Sequence, residues 1–284
     1  MNILILGGTG LVGTALTKYF SKQNNIRSFG REIYNSDELL KQNISWSDAI
    51  IQLSGATISK RWTEKYKKEI WDSRIKTNQK LAEIYNETSN NPKVIFASAV
   101  GFYPESTCKA PLDENDIQPG SDYLAQLAKE WEAVAKAINE KVLIFRFGVV
   151  LSKKGGALKE MLPMYKIGLG GPIGDGNQCF PWIHIDDLVR GIAFGLDNNL
   201  EGTYNLTSPQ IISQKDFGKA LSKTLNRPFF IKTYEWQLGM IFGEGSQVLV
   251  KSLAVSPNRL ISEKFNFVFP DISKALKNIL DQDK

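Results

Sequence analysis

The heptapeptide Gly7-Gly8-Thr9-Gly10-Leu11-Val12-Gly13 constrains this chain more than any other segment. It follows an apolar run, Asn2-Ile3-Leu4-Ile5-Leu6, and opens a stretch with helical patterning over 11–22. Strand, glycine turn and helix in that order begin a βαβ unit suited to a dinucleotide. The first glycine permits a tight turn, the second lets the main chain approach a pyrophosphate, and the third lets the helix pack closely on the strand. The helix N-terminus then offers unpaired N–H groups and the positive end of its dipole. Gly7, Thr9, Gly10, Leu11, Val12 and Gly13 are therefore candidate cofactor-binding residues. The plain alternative is a tight turn that holds nothing.

Alternation continues beyond the motif. Strands are expected at 26–29, 48–53, 94–97 and 142–145. Helices are expected at 63–88, with Thr63 as N-cap, and at 121–139. Such alternation predicts an α/β fold: a doubly wound parallel Rossmann sheet, with ligands beyond the carboxyl ends of the strands. After Gly148 the pattern changes to a glycine-rich stretch through Gly176, too apolar for a disordered linker and read as ordered loops around a cleft. Helices near 187–196 and 213–225 follow. The expected organisation is a cofactor domain over 1–150, a cleft segment and substrate lobe over 151–234 partly interleaved with it, and a small mixed C-terminal domain over 235–284.

Composition narrows the class. The formal charge of +5 is spread among acids, as in Glu64-Lys65-Tyr66-Lys67-Lys68-Glu69, so no nucleic-acid footprint is expected. Two cysteines, Cys108 and Cys179, and a single histidine, His184, cannot supply a zinc site. No apolar run is long enough to span a bilayer, and the chain opens on a strand-like segment rather than a charged leader. The expectation is a cytoplasmic protein in a reducing setting, a monomer or homodimer with a small-molecule partner, no metal and no membrane.

The second expected strand ends at Phe29-Gly30-Arg31-Glu32. An acid there bonds a ribose 2′-hydroxyl, and an arginine accepts a 2′-phosphate. Arg31 and Glu32 compete for the role. Arg31, just after Gly30, favours NADP(H) over NAD(H), with a surface arginine as the alternative. At the end of the third strand, Leu53, Gly55 and Ala56 are candidates for the adenosine half, or a plain turn.

Later segments carry a resemblance. The glycine start resembles extended short-chain dehydrogenase/reductases. Lys60-Arg61-Trp62-Thr63, Ser73-Arg74-Ile75, residues 146–151, residues 170–178 and Trp182-Ile183-His184-Ile185-Asp186-Asp187 together resemble the sugar-nucleotide epimerase-like family. Gly243-Glu244, Ser246 and Pro257-Asn258-Arg259-Leu260 resemble its small terminal domain of unknown function. The resemblance implies NADP(H) and an extended Rossmann fold, and it names no substrate.

It also implies chemistry by a Tyr hydroxyl as acid or base, a Lys four residues later, and a Ser that polarises a carbonyl. Ser98, at the end of the fourth strand, is the serine candidate, with a backbone-satisfied serine as the alternative. No tyrosine of the nine has Lys at i+4. Tyr123 stands near the expected place, but Leu127 holds the lysine position, so Tyr123 is either an acid or packing. Tyr103 is a further catalytic candidate. Arg146, Gln178, Trp182 and His184 are candidates for the substrate side, the last two with core packing as their alternative. Arg74 faces either the same cleft or solvent. The leading reading is an NADP(H)-dependent oxidoreductase or epimerase-like enzyme acting on a small polar, sugar-like or nucleotide-sugar molecule. The rival is an NADP(H)-binding regulatory or scaffold protein that has lost the Tyr/Lys chemistry.

Overall fold

The computed structural model describes residues 1–138 and 141–281. Asn139, which the 121–139 helix was expected to include, and residues 282–284 of the expected C-terminal domain lie outside them. In chain order the elements are β1 (Asn2–Leu6), α1 (Leu11–Phe20), β2 (Asn25–Phe29), α2 (Asp37–Trp46), β3 (Ala49–Gln52), α3 (Glu64–Asp72), α4 (Ile75–Asn86), β4 (Lys93–Ala99), α5 (Tyr123–Ile138) and β5 (Leu143–Phe147). There follow β6 (Val149–Leu151), α6 (Gly156–Lys166), β7 (Trp182–His184), α7 (Ile185–Asp197), β8 (Gly202–Leu206), α8 (Gln214–Thr224), α9 (Glu235–Phe242), α10 (Gln247–Val250), α11 (Asn258–Ser262) and α12 (Ile272–Asp281).

Six strands form one parallel sheet in the order β2-β1-β3-β4-β5-β8. Both faces are covered, which explains the continuous apolar runs of the strands. Side chains alternate between the faces. Ile3, Ile5, Ile51 and Phe145 pack with Leu16 of α1 and Leu188 and Ile192 of α7. Leu4, Leu6, Ile50 and Phe96 pack with Leu40 of α2, Leu81 of α4 and Ala135 of α5. The chain runs outward from β1 to β2 and then returns to the other side of β1 with β3. This reversal opens a crevice beyond the carboxyl ends of β1 and β3, where open α/β sheets bind ligands.

The C-terminal half builds a second body. β6 and β7 form a two-stranded parallel pair, and Leu151 and Trp182 pack with Leu158 of α6, Phe217 of α8 and Leu276 of α12. β8, however, returns to the main sheet beside β5. Segment 235–281 is helical where it is regular. It touches the first half through Trp62 N–H, which donates to the Phe242 carbonyl (3.0 Å), and through Lys251 Nζ, which donates to the Tyr103 carbonyl (2.9 Å) and the Asp122 carboxylate.

Four expectations need correction. The helix foreseen over 63–88 is two helices, α3 and α4. Thr63 does cap the first, its Oγ1 accepting from the Tyr66 N–H. The helix breaks because Ser73 Oγ donates to the Ile70 carbonyl and accepts from the Ala56 N–H (both 2.9 Å), a side-chain alternative to the helical ladder. The glycine-rich stretch is not all loop, since α6 occupies Gly156–Lys166. Helix α2, capped by Ser36 Oγ on the Leu39 N–H, and strand β8 had no counterpart in the sequence reading. Finally, Cys108 and Cys179 are joined in a disulfide with Cα atoms 5.6 Å apart, which removes the cysteine argument for a reducing setting. Among the described residues no helix is long and apolar enough to cross a membrane.

Candidate functional site

The glycine turn shows why each glycine stands where it does. Gly7 has φ +83°, and a Cβ on it would lie 2.8 Å from the Leu53 carbonyl carbon and the Ser54 nitrogen. Only glycine allows β1 and β3 to end this close together. A Cβ on Gly13 would lie 2.5 Å from the Gly7 oxygen, so this residue sets how closely α1 approaches the turn. Gly10 differs: the nearest atom to its Cβ position is 3.4 Å away, leaving open space in front of it. It is also the N-cap of α1 and gives that helix no side-chain cap. The first-turn N–H groups of Leu11, Val12 and Gly13 are thus without a side-chain acceptor, and Thr9 and Gly10 are exposed. Leu11 packs instead against Gly155 and Gly156.

The end of β2 is tied to the same turn. The N–H groups of Gly7 and Gly8 both donate to the Phe29 carbonyl, at 2.9 and 2.8 Å. This places Gly30 and Arg31 next to the glycines. Arg31 and Glu32 then diverge. Glu32 Oε1 accepts from the Gly30 N–H at 2.7 Å, so that carboxylate is engaged by its own turn. Arg31 keeps a side chain 60% exposed, with Glu69 of α3 as a loose partner at 3.6 Å. That separation is too long for a charge-assisted hydrogen bond.

The third wall is Leu53-Ser54-Gly55-Ala56. Gln52 Oε1 accepts from the Ser54 N–H (3.1 Å), and Gln52 Nε2 donates to the Tyr34 hydroxyl (2.8 Å) and to Asn78 Oδ1. Burial pushes the Tyr34 phenol up to about 12. Gly55 is exposed, and Arg74 lies against it: a Cβ there would be 3.0 Å from Arg74 Cζ. Arg74 stands at the break between α3 and α4, where Nη1 donates to the Ile70 carbonyl (3.2 Å) and Nη2 to the Ala56 carbonyl (3.1 Å). Arg74 is thus half-buried against the Gly55-Ala56 turn at the end of β3.

The expected catalytic end is arranged differently. Strand alternation turns Ser98 onto the α5 side of β4, where it is 3% exposed and donates to Glu132 Oε1 at 2.8 Å. Arg146 of β5 grips the same carboxylate with two bonds, Nε to Oε1 at 2.7 Å and Nη2 to Oε2 at 2.8 Å. Its guanidinium lies 3.5 Å from the Phe102 ring centroid and 4.8 Å from that of Tyr103. Tyr103 is fully buried and donates to Asn205 Oδ1 at 2.9 Å. Burial raises its pKa, against a smaller opposing pull from Arg146. The Asn205 N–H in turn donates to the buried Glu114, whose carboxyl burial also raises. The structure therefore brings Ser98, Tyr103 and Arg146 together, but as members of a closed and satisfied network rather than as groups facing an open cleft.

Tyr123 stands apart from them. Its hydroxyl donates to the Lys67 carbonyl (2.6 Å), and its ring meets Trp62 edge-on at 5.5 Å. Burial raises its pKa. Leu127, in the lysine position, is core with Trp62, Ile70 and Trp131. Gln178 Nε2 donates to the Ile173 carbonyl in the glycine-rich loop (3.2 Å). Trp182 and His184 have no exposed surface. Trp182 packs beneath α6 and α8, and His184 Nδ1 caps α7 by accepting from the Asp186 N–H while its ring stacks on Phe269 at 4.0 Å. A substrate wall needs reachable atoms, so these two are corrected to packing and capping. Sequence reasoning missed Glu132 and Asn205. For Glu132 a signal existed: an acid in line with Ala125, Ala128 and Ala135 falls on the buried stripe of α5, which requires a partner.

Residues 3–207 match the NAD dependent epimerase/dehydratase family, and residues 235–279 match a domain of unknown function (DUF1731). The chain belongs to the NAD dependent epimerase/dehydratase family. It is 34% identical over 295 residues to the epimerase family protein SH2119 of Staphylococcus haemolyticus, covering 98% of each chain. It is 33% identical over 293 residues to the epimerase family protein SDR39U1 of the mouse, covering 99% of this chain and all of the relative. The crystal structure of human epimerase family protein SDR39U1 (isoform 2) with NADPH superposes with a TM-score of 0.91 at 32% identity, covering 99% of this chain and 100% of that one. An extended short-chain dehydrogenase fold is thus the architecture of this chain.

Proposed function

We propose that the crevice at β1 and β3 binds NADP(H), and that the protein exchanges hydride with a small polar substrate of the nucleotide-sugar type. The observation that carries the cofactor reading is the divergence of Arg31 and Glu32. The acid that could select a ribose hydroxyl is engaged by Gly30, while the arginine beside the glycine turn is exposed, with only the loose, exposed ion pair to Glu69 to exchange for a 2′-phosphate. The rest of the crevice fits the same ligand. The uncapped N-terminus of α1 suits a pyrophosphate, the open space at Gly10 admits it, and exposed Gly55 suits the adenosine half. The NADPH in the human relative supports the assignment. Bound NADPH would supply a hydride to an electrophilic carbon. In this chain the glycine turn and Arg31 bind and orient. The domain over 1–150, the interleaved lobe over 151–234 and the terminal piece over 235–284 divide binding from substrate contact.

A second reading is favoured by one observation. Ser98, Tyr103 and Arg146 are satisfied by each other, by Glu132 and by Asn205, and Tyr123 has Leu127 where the lysine should stand. A protein that binds NADP(H) as a sensor would look the same. Rapid-mixing fluorescence of the NADPH complex against ketones, aldehydes and nucleotide sugars separates the readings. Substrate-dependent loss of the NADPH signal is the expected result. NADPH that binds tightly yet is never oxidised would transfer the assignment to the sensor, and failure to bind NADPH would remove both.

A further inference from the structure

Arg74 is half-buried, and a charge drawn this far out of water is normally matched by an opposite charge, which Arg74 lacks. Among the described residues its guanidinium pairs with no carboxylate; its hydrogen-bond partners are the Ile70 and Ala56 carbonyls. Two carbonyls engage two of the five N–H donors an arginine carries. The charged and phenolic groups that act on it are Tyr123, Tyr66 and Arg31, and Arg31 repels it. One face rests on Trp131, 5.1 Å from the ring centroid. The other lies against exposed Gly55, whose missing side chain makes room for it. Burial lowers its pKa to about 10, so it stays charged at neutral pH. A cation held by the helix break on one side and by the Ser54–Ala56 turn on the other, at the carboxyl edge of β3, lacks an anion.

We propose that Arg74 is an oxyanion-binding residue of the crevice, taking a phosphate or carboxylate group on its remaining N–H donors. The proposal rests on the reading of the crevice as a binding site. The oxyanion has two sources, the pyrophosphate of the cofactor or an acidic group on the second ligand, and both meet the same planar fork of donors.

The probes are inorganic pyrophosphate, NADPH and NADH, titrated by calorimetry against the wild type, Arg74→Met and Arg74→Lys. The methionine keeps the packing on Trp131, and the lysine keeps the charge. Pyrophosphate affinity is expected to fall about ten- to a hundredfold in Arg74→Met and less in Arg74→Lys. If the cofactor is the source, NADPH and NADH weaken by the same factor in Arg74→Met. If the second ligand is the source, both nucleotides bind as before, and NADPH-loaded wild type still takes pyrophosphate while NADPH-loaded Arg74→Met does not. Folded Arg74→Met that binds all three probes like the wild type overturns the proposal. Should the variants fail to fold, phenylglyoxal labelling of the wild type replaces them: pyrophosphate is expected to protect Arg74, and equal labelling with and without it overturns the idea. Wild type that binds pyrophosphate through Arg74 but no nucleotide would sink the proposed function and leave this inference standing.

Discussion

The two ends of the carboxyl edge of the sheet use polar groups in opposite ways. At β1 and β3 polar groups are left over: an uncapped helix N-terminus, an exposed arginine and open space in front of Gly10. At β4, β5 and β8 they are consumed. Ser98, Glu132, Arg146, Tyr103, Asn205 and Glu114 engage one another or nearby backbone, and each is at most 5% exposed. Polar groups bonded only to water at a surface can exchange that water for a ligand, whereas completed bonds in the interior hold the fold. The difference sets the proposed binding edge apart from a structural edge within one sheet, even though both carry the residue types expected of chemistry.

Each end can be broken separately. The largest effect is expected for Gly10→Val, which puts a side chain into the open space of the crevice. NADPH affinity should fall by roughly a hundredfold or more, while thermal unfolding stays near that of the wild type. Loss of the fold would mean that Gly10 packs as tightly as Gly13. Next comes Glu132→Gln, which leaves the buried Arg146 guanidinium without its counter-charge. Breaking a buried pair costs about 3–5 kcal/mol, roughly 10 °C in melting temperature for a chain of this size. NADPH affinity should be unchanged, and a variant as stable as the wild type would show that the network contributes nothing to the fold.

Arg31→Ala sharpens the binding end alone. NADPH affinity is expected to drop about ten- to a hundredfold and NADH affinity to stay within about twofold, so the ratio of the two is the quantity to measure. A pH effect follows for the structural half. Burial lowers the pKa of His184, although Asp186 and Asp187 oppose the shift. The unfolded chain therefore takes up a proton below about pH 6.5 that the folded chain resists, and stability falls as pH drops through that point. Denaturant titrations at neutral and mildly acidic pH should show this slope, and His184→Gln should flatten it. The smallest effect is Ser98→Ala, about 1–2 kcal/mol of stability from one bond to a carboxylate that Arg146 still holds. If that variant instead abolishes NADPH oxidation at undiminished stability, Ser98 belongs to the chemistry.

The binding edge was legible because its signals are local. Gly7, Gly10 and Gly13 stand in one turn after one strand, and the demand on Gly10 and Gly13 is set by Gly7 and Gly8 themselves, although that on Gly7 comes from Leu53 and Ser54. The parallel sheet was legible for the same reason: strand and helix periods differ, and apolar runs such as Ile3 to Leu6 survive only when covered on both faces. The structural edge was not legible. Glu132 and Arg146 are 14 residues apart, and Tyr103 and Asn205 are 102 apart, so only the fold reveals that each satisfies the other. Ser98 and Ala99 show how fine the distinction is, because a one-residue step along a strand reverses the face. The break at Ser73 escaped periodicity because the apolar pattern runs through it. Its cause is a bond to Ala56 17 residues away. His184 drew attention as the sole histidine, yet its role as a helix cap depends on α7 beginning at the next residue.

Amide hydrogen exchange with and without NADPH tests the separation of the two edges most directly, because it needs no substitution and reads both at once. Protection is expected in the peptide that holds Leu11, Val12 and Gly13, with exchange unchanged in the peptides that hold Ser98 and Glu132. Unchanged exchange at α1, or protection confined to the Ser98 and Glu132 peptides, would contradict the assignment of the β1 and β3 crevice as the cofactor edge.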